Sequence, residues 1–214
     1  MFRFGVTTRI TQAEAYNEPR DSLAHDWGVF FQREFPNDLW VSIPNIGKDS
    51  IKYFESLSLN VLILSGGDSL GETPKRDETE YALLEYALEN GIPVIAICRG
   101  MQLVHSYFGG KILEGGKEFT SIHRANMHEI TLNGGEVFIT NSFHNNFLLE
   151  EGIDQNVMIT ARCVADNSIE AFMGRGFIGM MWHPERAMKD TEWSTIQLKH
   201  FLKDYDKSNH FSRG

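Results

Sequence analysis

A chain of 214 residues is long enough for one hydrophobic core and fits a single domain. With 42% hydrophobic, 12% aromatic and 23% charged residues, its composition excludes a disordered or collagen-like polypeptide. Twenty Lys and Arg against 29 Asp and Glu give a net charge of -9, which argues against a nucleic acid polymer as partner but leaves room for a few local cations around one diphosphate.

The N-terminal residues Met1 to Val6 run straight into a strand-like segment, without a basic stretch ahead of a long apolar one. No apolar run approaches the roughly 18 residues that suggest a membrane span. The two cysteines, Cys98 and Cys163, are too few for a disulfide framework and read as thiols of a reducing compartment. A cytoplasmic protein with no membrane partner is expected.

Along the chain, short apolar runs alternate with amphipathic segments: 2–6 then 23–35, 39–43 then 51–57, 61–64 then 77–89, and 94–97 then 101–108. This is the rhythm of βα units around a parallel sheet. The clearest helix is 77–89, where Tyr81, Leu84, Ala87 and Leu88 share a stripe, and Asn90-Gly91 stops it. After Gly109-Gly110 the pieces 128–132, 136–140, 157–164, 169–173 and 177–182 are strand-like, and a last helix is expected over 191–205. The predicted fold is a single α/β domain over residues 1–206, with a mostly parallel central sheet flanked by helices, additional antiparallel strands in the second half, and a polar tail over 207–214.

Chemistry concentrates in Pro93-Val94-Ile95-Ala96-Ile97-Cys98-Arg99-Gly100-Met101-Gln102. A buried strand leads directly into a cysteine, and a helix begins behind it. Such a turn strains the nucleophile and needs small neighbours, here Ala96 and Gly100. The helix N-terminus favours a thiolate, and its free N–H groups can hold an oxyanion. A cysteine at a strand end is more often plain core, and Cys163, inside an apparent strand, is read that way.

A second apolar strand ends on Trp182-His183-Pro184-Glu185. In extended chain, residues two apart point the same way, so Glu185 can orient the His183 ring and stabilise its protonated form. The bland alternative is a structural histidine. His123, His128 and His144 invite a metal reading, but their spacings fit no compact zinc pattern and thiol chemistry needs no metal. Neither metal nor cofactor is expected.

On these residues the chain resembles the class I glutamine amidotransferase family, particularly its γ-glutamyl hydrolase branch. The family's small-x-Cys-x-Gly-x-Gln elbow matches residues 96–102, and its His-Pro-Glu motif matches residues 183–185. The resemblance implies Cys98 as nucleophile, His183 as base and Glu185 as its orienting carboxylate. It also implies an oxyanion hole from the N–H groups of Gly67, in Ser65-Gly66-Gly67-Asp68, and Arg99. Gln102 and the segment Asn141, Ser142, Phe143 and His144 are implied to bind the glutamyl group. Ala96 departs from the glycine common at its position, and Met181 stands where many relatives carry a polar residue.

Arg20-Asp21 and Arg76-Asp77 resemble segments of the stand-alone hydrolases, so the resemblance implies a small-molecule γ-glutamyl amide as substrate and no obligate synthase partner. The wider pattern, from Glu18 to Asp21 through Ile43-Pro44-Asn45 to Thr140–His144, is similar to hydrolases found with surface-polysaccharide biosynthesis, which implies a nucleotide-linked substrate. Arg9, Arg20, Lys75, Arg76, Arg99 and Arg124 are then the candidate cations for its diphosphate, weighed against ordinary surface charges. The competing readings are a glutaminase subunit that delivers ammonia to a synthase, and a glutamyl-binding regulatory module without turnover.

Overall fold

The computed structural model describes residues 1–186 and 192–211. In chain order the elements are β1 (Arg3–Thr7), β2 (Arg9–Gln12), β3 (Pro19–Ser22), α1 (His25–Glu34), β4 (Leu39–Ile43), α2 (Asp49–Ser56), β5 (Val61–Leu64), α3 (Pro74–Glu89), β6 (Val94–Ile97) and α4 (Arg99–Tyr107). They continue with β7 (Ile112–Glu114), α5 (Lys117–His123), β8 (Arg124–Leu132), β9 (Val137–Phe143), β10 (Asn146–Leu148), β11 (Met158–Cys163), β12 (Ile169–Gly174), β13 (Phe177–Met180) and α6 (Glu192–Phe211).

One nine-stranded sheet organises the molecule, in the order β4-β1-β5-β6-β13-β12-β11-β8-β9. The pairings from β4 to β13 are parallel and those from β13 to β9 antiparallel. The expected single-domain α/β fold is present, with its antiparallel strands drawn from the second half of the chain.

The central strands are apolar throughout because both faces are covered. Val61, Ile63, Ile95 and Ile97 pack on one face with Trp27, Phe30 and Phe31 of α1 and Leu198 and Leu202 of α6. Leu62, Leu64, Val94 and Ala96 face the opposite way, against Phe54 of α2, Leu83, Leu84 and Ala87 of α3, and Met101, Leu103 and Val104 of α4. This three-layer arrangement brings the C-terminal ends of β5, β6 and β13 together, where open α/β sheets place their sites.

Three local features differ from expectation. Asn141 to Phe143, beyond the expected strand 136–140, lie within β9, because their backbone pairs with residues 124–127 of β8. The β2–β3 hairpin, β7, β10 and α5 carry too few alternating apolar residues to announce themselves. Helix α6 runs to Phe211, beyond the expected end at Tyr205 and into the segment expected to be a tail, whereas its expected first residue, Thr191, lies outside the described residues. Among the described residues, no helix is long and apolar enough to cross a membrane.

Candidate active site

Cys98 follows the last residue of β6 and precedes the first of α4, with φ 50° and ψ −104°. A side chain rarely adopts this backbone, at a cost of about 1–3 kcal/mol. Close packing on both sides holds it. The Cys98 N–H donates to the Met180 carbonyl at 2.7 Å, which ties the turn to β13. A Cβ at Gly100 would lie 2.2 Å from the Leu64 carbonyl oxygen, so only glycine lets α4 start this close to β5.

His183 sits three residues beyond β13 and is buried. The Asn141 carboxamide grips its backbone from both sides, accepting from the His183 N–H at 2.8 Å and donating to the His183 carbonyl at 2.9 Å. The ring Nδ1 lies 2.7 Å from Glu185 Oε1. This hydrogen bond leaves Nε2 to face other partners.

The Cys98 thiol adjoins the His183 ring, and each acts on the charge of the other. Burial opposes a thiolate, but the adjoining His183, aided by His144, outweighs it and puts the Cys98 thiol below its usual value. Burial likewise opposes an imidazolium at His183, yet Glu185 and the Cys98 sulfur raise it to about 9. Both shifts run in the direction of a thiolate–imidazolium pair. Cys163 is the opposite case, its thiol pushed up to about 11 by burial.

The Ser65–Asp68 turn closes over this pair. A Cβ at Gly66 would lie 2.7 Å from His183 Cε1 and 3.4 Å from Cys98 Cβ, and Gly67 has φ +138°. A buried ionic network fixes the turn. Arg76 Nη2 donates to the Ser65 and Gly66 carbonyls, both at 3.0 Å, and Arg76 Nε donates to Glu80 Oε1 at 2.9 Å. Thr7 Oγ1 also donates to Glu80 Oε1, at 2.6 Å, and Arg99 pairs with both Glu80 and Asp77.

These contacts revise the list of candidate diphosphate ligands. The guanidinium of Arg76 is wholly buried and that of Arg99 almost so, and both brace the turn from inside; neither lies at an open mouth. Arg20 pairs with Glu18 on the exposed hairpin, Lys75 pairs with Glu78, and Arg124 is exposed on β8. Arg9 is the candidate placed beside the turn, with Nε and Nη2 3.2 and 3.4 Å from where a Gly67 Cβ would be.

The glutamyl-side candidates are close by but partly committed to other bonds. The Asn141 amide holds His183, and Ser142 Oγ donates to the His123 carbonyl at 2.6 Å. Phe143 meets the His183 ring edge to face at 5.7 Å, with the Arg186 guanidinium 4.3 Å from the Phe143 ring centre. Gln102 is buried and accepts from Asn146 Nδ2 at 3.3 Å. His144 donates Nδ1–H to the Asn146 carbonyl, 2.9 Å away. A wide cleft lined by Leu88, Tyr107, Asn133, Trp193 and Tyr205 holds none of Cys98, His183 and Glu185, so it is not where a thiol would act.

Two groups escaped the sequence reading. Glu80 binds two guanidiniums, and its signal was its position four residues after Arg76 on one helix face. Glu170 is wholly buried among His123, His128 and His144, and its signal was a carboxylate inside the apolar run 169–173. Spacing along the chain argued against a histidine cluster, yet α5, β8, the end of β9 and β12 bring the three histidines together.

Comparison with known proteins gives the family. The Peptidase C26 family model matches residues 59–185. The chain is 34% identical over 192 residues to the γ-glutamyl-CDP-amidate hydrolase of Campylobacter jejuni, covering 85% of this chain and 89% of that protein. It is 27% identical over 157 residues to the glutamine-hydrolysing GMP synthase of Listeria monocytogenes, covering 71% of this chain but only 29% of the synthase. The crystal structure of a glutamine amidotransferase from Thermotoga maritima superposes with a TM-score of 0.62 at 14% identity, over 97% of this chain and 85% of that one. With the elbow, the His183–Glu185 pair and the sheet order on one scaffold, and with a family match across more than half its length, the chain belongs to the Peptidase C26 family of class I glutamine amidotransferase-like proteins.

Proposed function

We propose that the protein hydrolyses a γ-glutamyl amide with Cys98 as nucleophile, His183 as acid and base, and Glu185 as the group that orients His183. The observation that carries this reading is the strained Cys98 turn facing a histidine whose far nitrogen is held 2.7 Å from a carboxylate. The Cys98 thiolate attacks the γ-carbonyl carbon, and the N–H groups of Gly67 and Arg99 hold the oxyanion. His183 gives its proton to the departing nitrogen as the C–N bond breaks, leaving a glutamyl thioester. Neutral His183 then takes a proton from water, which attacks the thioester, and glutamate leaves as the thiolate reforms.

For the substrate we propose γ-glutamyl-CDP-amidate, giving glutamate and cytidine diphosphoramidate for capsular polysaccharide modification. The relative in Campylobacter jejuni, aligned over most of both chains, supports this choice. So does Arg9, a cation at the rim of the Gly67 turn. The test is glutamate release from glutamine, simple γ-glutamyl amines and γ-glutamyl-CDP-amidate, compared by kcat/KM. A preference of about a hundred-fold for the nucleotide amidate is expected, worth about 2.7 kcal/mol of transition-state binding. If glutamine wins, the chain is instead a glutaminase that hands ammonia to a synthase, the reading that the partial match to GMP synthase favours.

The pH profile tests the mechanism separately from the substrate. Turnover needs thiolate and imidazolium together, so kcat/KM is expected to hold only while His183 keeps its proton. It falls as pH rises through about 9, where His183 loses the proton the leaving nitrogen needs. Glu185→Gln removes the charge that holds this proton, so the alkaline limb should move towards lower pH. A limb that stays in place would show that Glu185 does not set the charge of His183.

A further inference from the structure

Beside the site, four segments bring imidazoles onto one buried carboxylate. His123 ends α5, His128 lies on β8, His144 follows β9, and Glu170 is on β12. His123 Nδ1 lies 3.3 Å from Glu170 Oε1, His144 Nε2 lies 3.5 Å from that same oxygen, and His128 Nε2 lies 3.5 Å from Oε2. Glu170 and His123 are wholly buried, and the other two rings nearly so. His123 Nδ1, His128 Nε2, His144 Nε2 and Glu170 Oε2 nevertheless have no hydrogen-bond partner.

Unpartnered buried polar atoms are costly, at about 1–3 kcal/mol each and more when charged, and two of them, His123 Nδ1 and His144 Nε2, face the same Glu170 oxygen, which calls for an occupant. We propose that His123, His144 and Glu170 bind one divalent transition-metal ion, best suited to zinc.

Three observations carry the proposal. First, ligand atoms about 2.0–2.1 Å from a tetrahedral ion stand roughly 3.3–3.4 Å apart, which is the separation seen here and too long and off-line for good hydrogen bonds. The inward atoms of His123, His144 and Glu170 all lie within 4.8 Å of one another. Second, the outward nitrogens are already oriented as metal-bound imidazoles require. His123 Nε2 is 2.8 Å from Asp166 Oδ2, and His144 Nδ1 is 2.9 Å from the Asn146 carbonyl oxygen. Asp166 is itself fixed by the Ser168 N–H at 3.0 Å and the Ser168 hydroxyl at 2.7 Å. Third, two imidazoles and one carboxylate are a donor set that zinc accepts, with its fourth position left to a small ligand such as water.

The ion would join α5, the end of β9 and β12 at one point. Because β9 also carries Asn141, which grips His183, the metal would stiffen the support of the candidate active site. Its role is structural, and it stands independently of the substrate assignment.

The test uses the full chain carrying Cys98→Ala, so that the reactive thiol cannot bind metal, after stripping with a chelator. Zinc is added back, and bound metal is counted by equilibrium dialysis with elemental analysis. One ion per chain and a raised unfolding temperature are expected. Glu170→Gln should lose stoichiometric binding. Asp166→Asn keeps every ligand and is expected to weaken affinity by about 10- to 100-fold, which keeps the test decisive if Glu170→Gln misfolds. Cobalt in place of zinc should give the visible bands of a tetrahedral ion without a thiolate charge-transfer band. Absence of binding in the folded chain would overturn the proposal and leave protonated histidines as the counter-charge of Glu170. A thiolate band lost in Cys163→Ser would also overturn it, in favour of a site on His123, His128 and Cys163, which approach one another nearby.

Discussion

Cys98→Ala is expected to lower glutamate release by about a million-fold in kcat, about 8 kcal/mol of barrier, because covalent catalysis ends when its nucleophile is removed. Alanine at this position meets the same φ of 50° that cysteine meets, so the backbone strain is unchanged and the fold should keep its stability. Substrate binding should survive as well, since neither Gln102 nor the Gly67 turn depends on the sulfur for its hydrogen bonds. Calorimetric titration with a γ-glutamyl substrate, beside an assay of released glutamate, separates the two effects. Residual turnover above about one per cent would rule out the thioester route, because orientation and the oxyanion donors alone leave far less.

Glu80→Ala is expected to cost about 3–5 kcal/mol of folding stability, among the largest effects a single substitution here can have. The carboxylate is wholly buried between Arg76 and Arg99, whose guanidiniums are buried too, so its loss leaves Arg76 without a close carboxylate and Arg99 with Asp77 alone. For a chain of this length that corresponds to a fall of about 10 °C in Tm. Thr7 Oγ1 would lose its acceptor as well. The defect should reach function through geometry, since Arg76 also bonds the Ser65 and Gly66 carbonyls and sets the turn that presents Gly67. Denaturant melts of the variant give the stability and its kcat/KM gives the displacement of the turn. A loss under about 1 kcal/mol would mean that water enters and solvates the two guanidiniums.

Strands that are buried on both faces were legible because uninterrupted apolar runs have no other satisfactory place. The expected 61–64 and 94–97 coincide with the wholly buried β5 and β6 to the residue, and 39–43 coincides with β4, an edge strand buried only at Ile43. Helix α3 began three residues earlier than its apolar stripe, at Pro74, which suits a first helical turn where no N–H is needed. The elbow and the His183-Pro184-Glu185 segment were equally legible, because each is a local constraint: a strand running into a helix through one residue, and two side chains two apart on extended chain. The structure turns the second into a distance, 2.7 Å between His183 Nδ1 and Glu185 Oε1.

Groups that act across the chain were not legible in this way. Nothing near Arg76 in the sequence says that its guanidinium points inward to a carbonyl pair eleven and ten residues back, so a cation that looks suited to a phosphate is a brace. Asn141 reads as a loop residue until its strand pairs with β8 and its amide reaches His183, 42 residues away. The histidines at 123, 128 and 144 have no ligand spacing along the chain, yet sheet packing sets them around Glu170. Which residues could react and which strands must be buried can be read from the chain alone, because both depend on covalent neighbours and on apolar pattern. Which polar groups meet in the interior emerges with the folded molecule, because a buried charge takes its partner from whatever the packing of distant elements brings within about 3 Å.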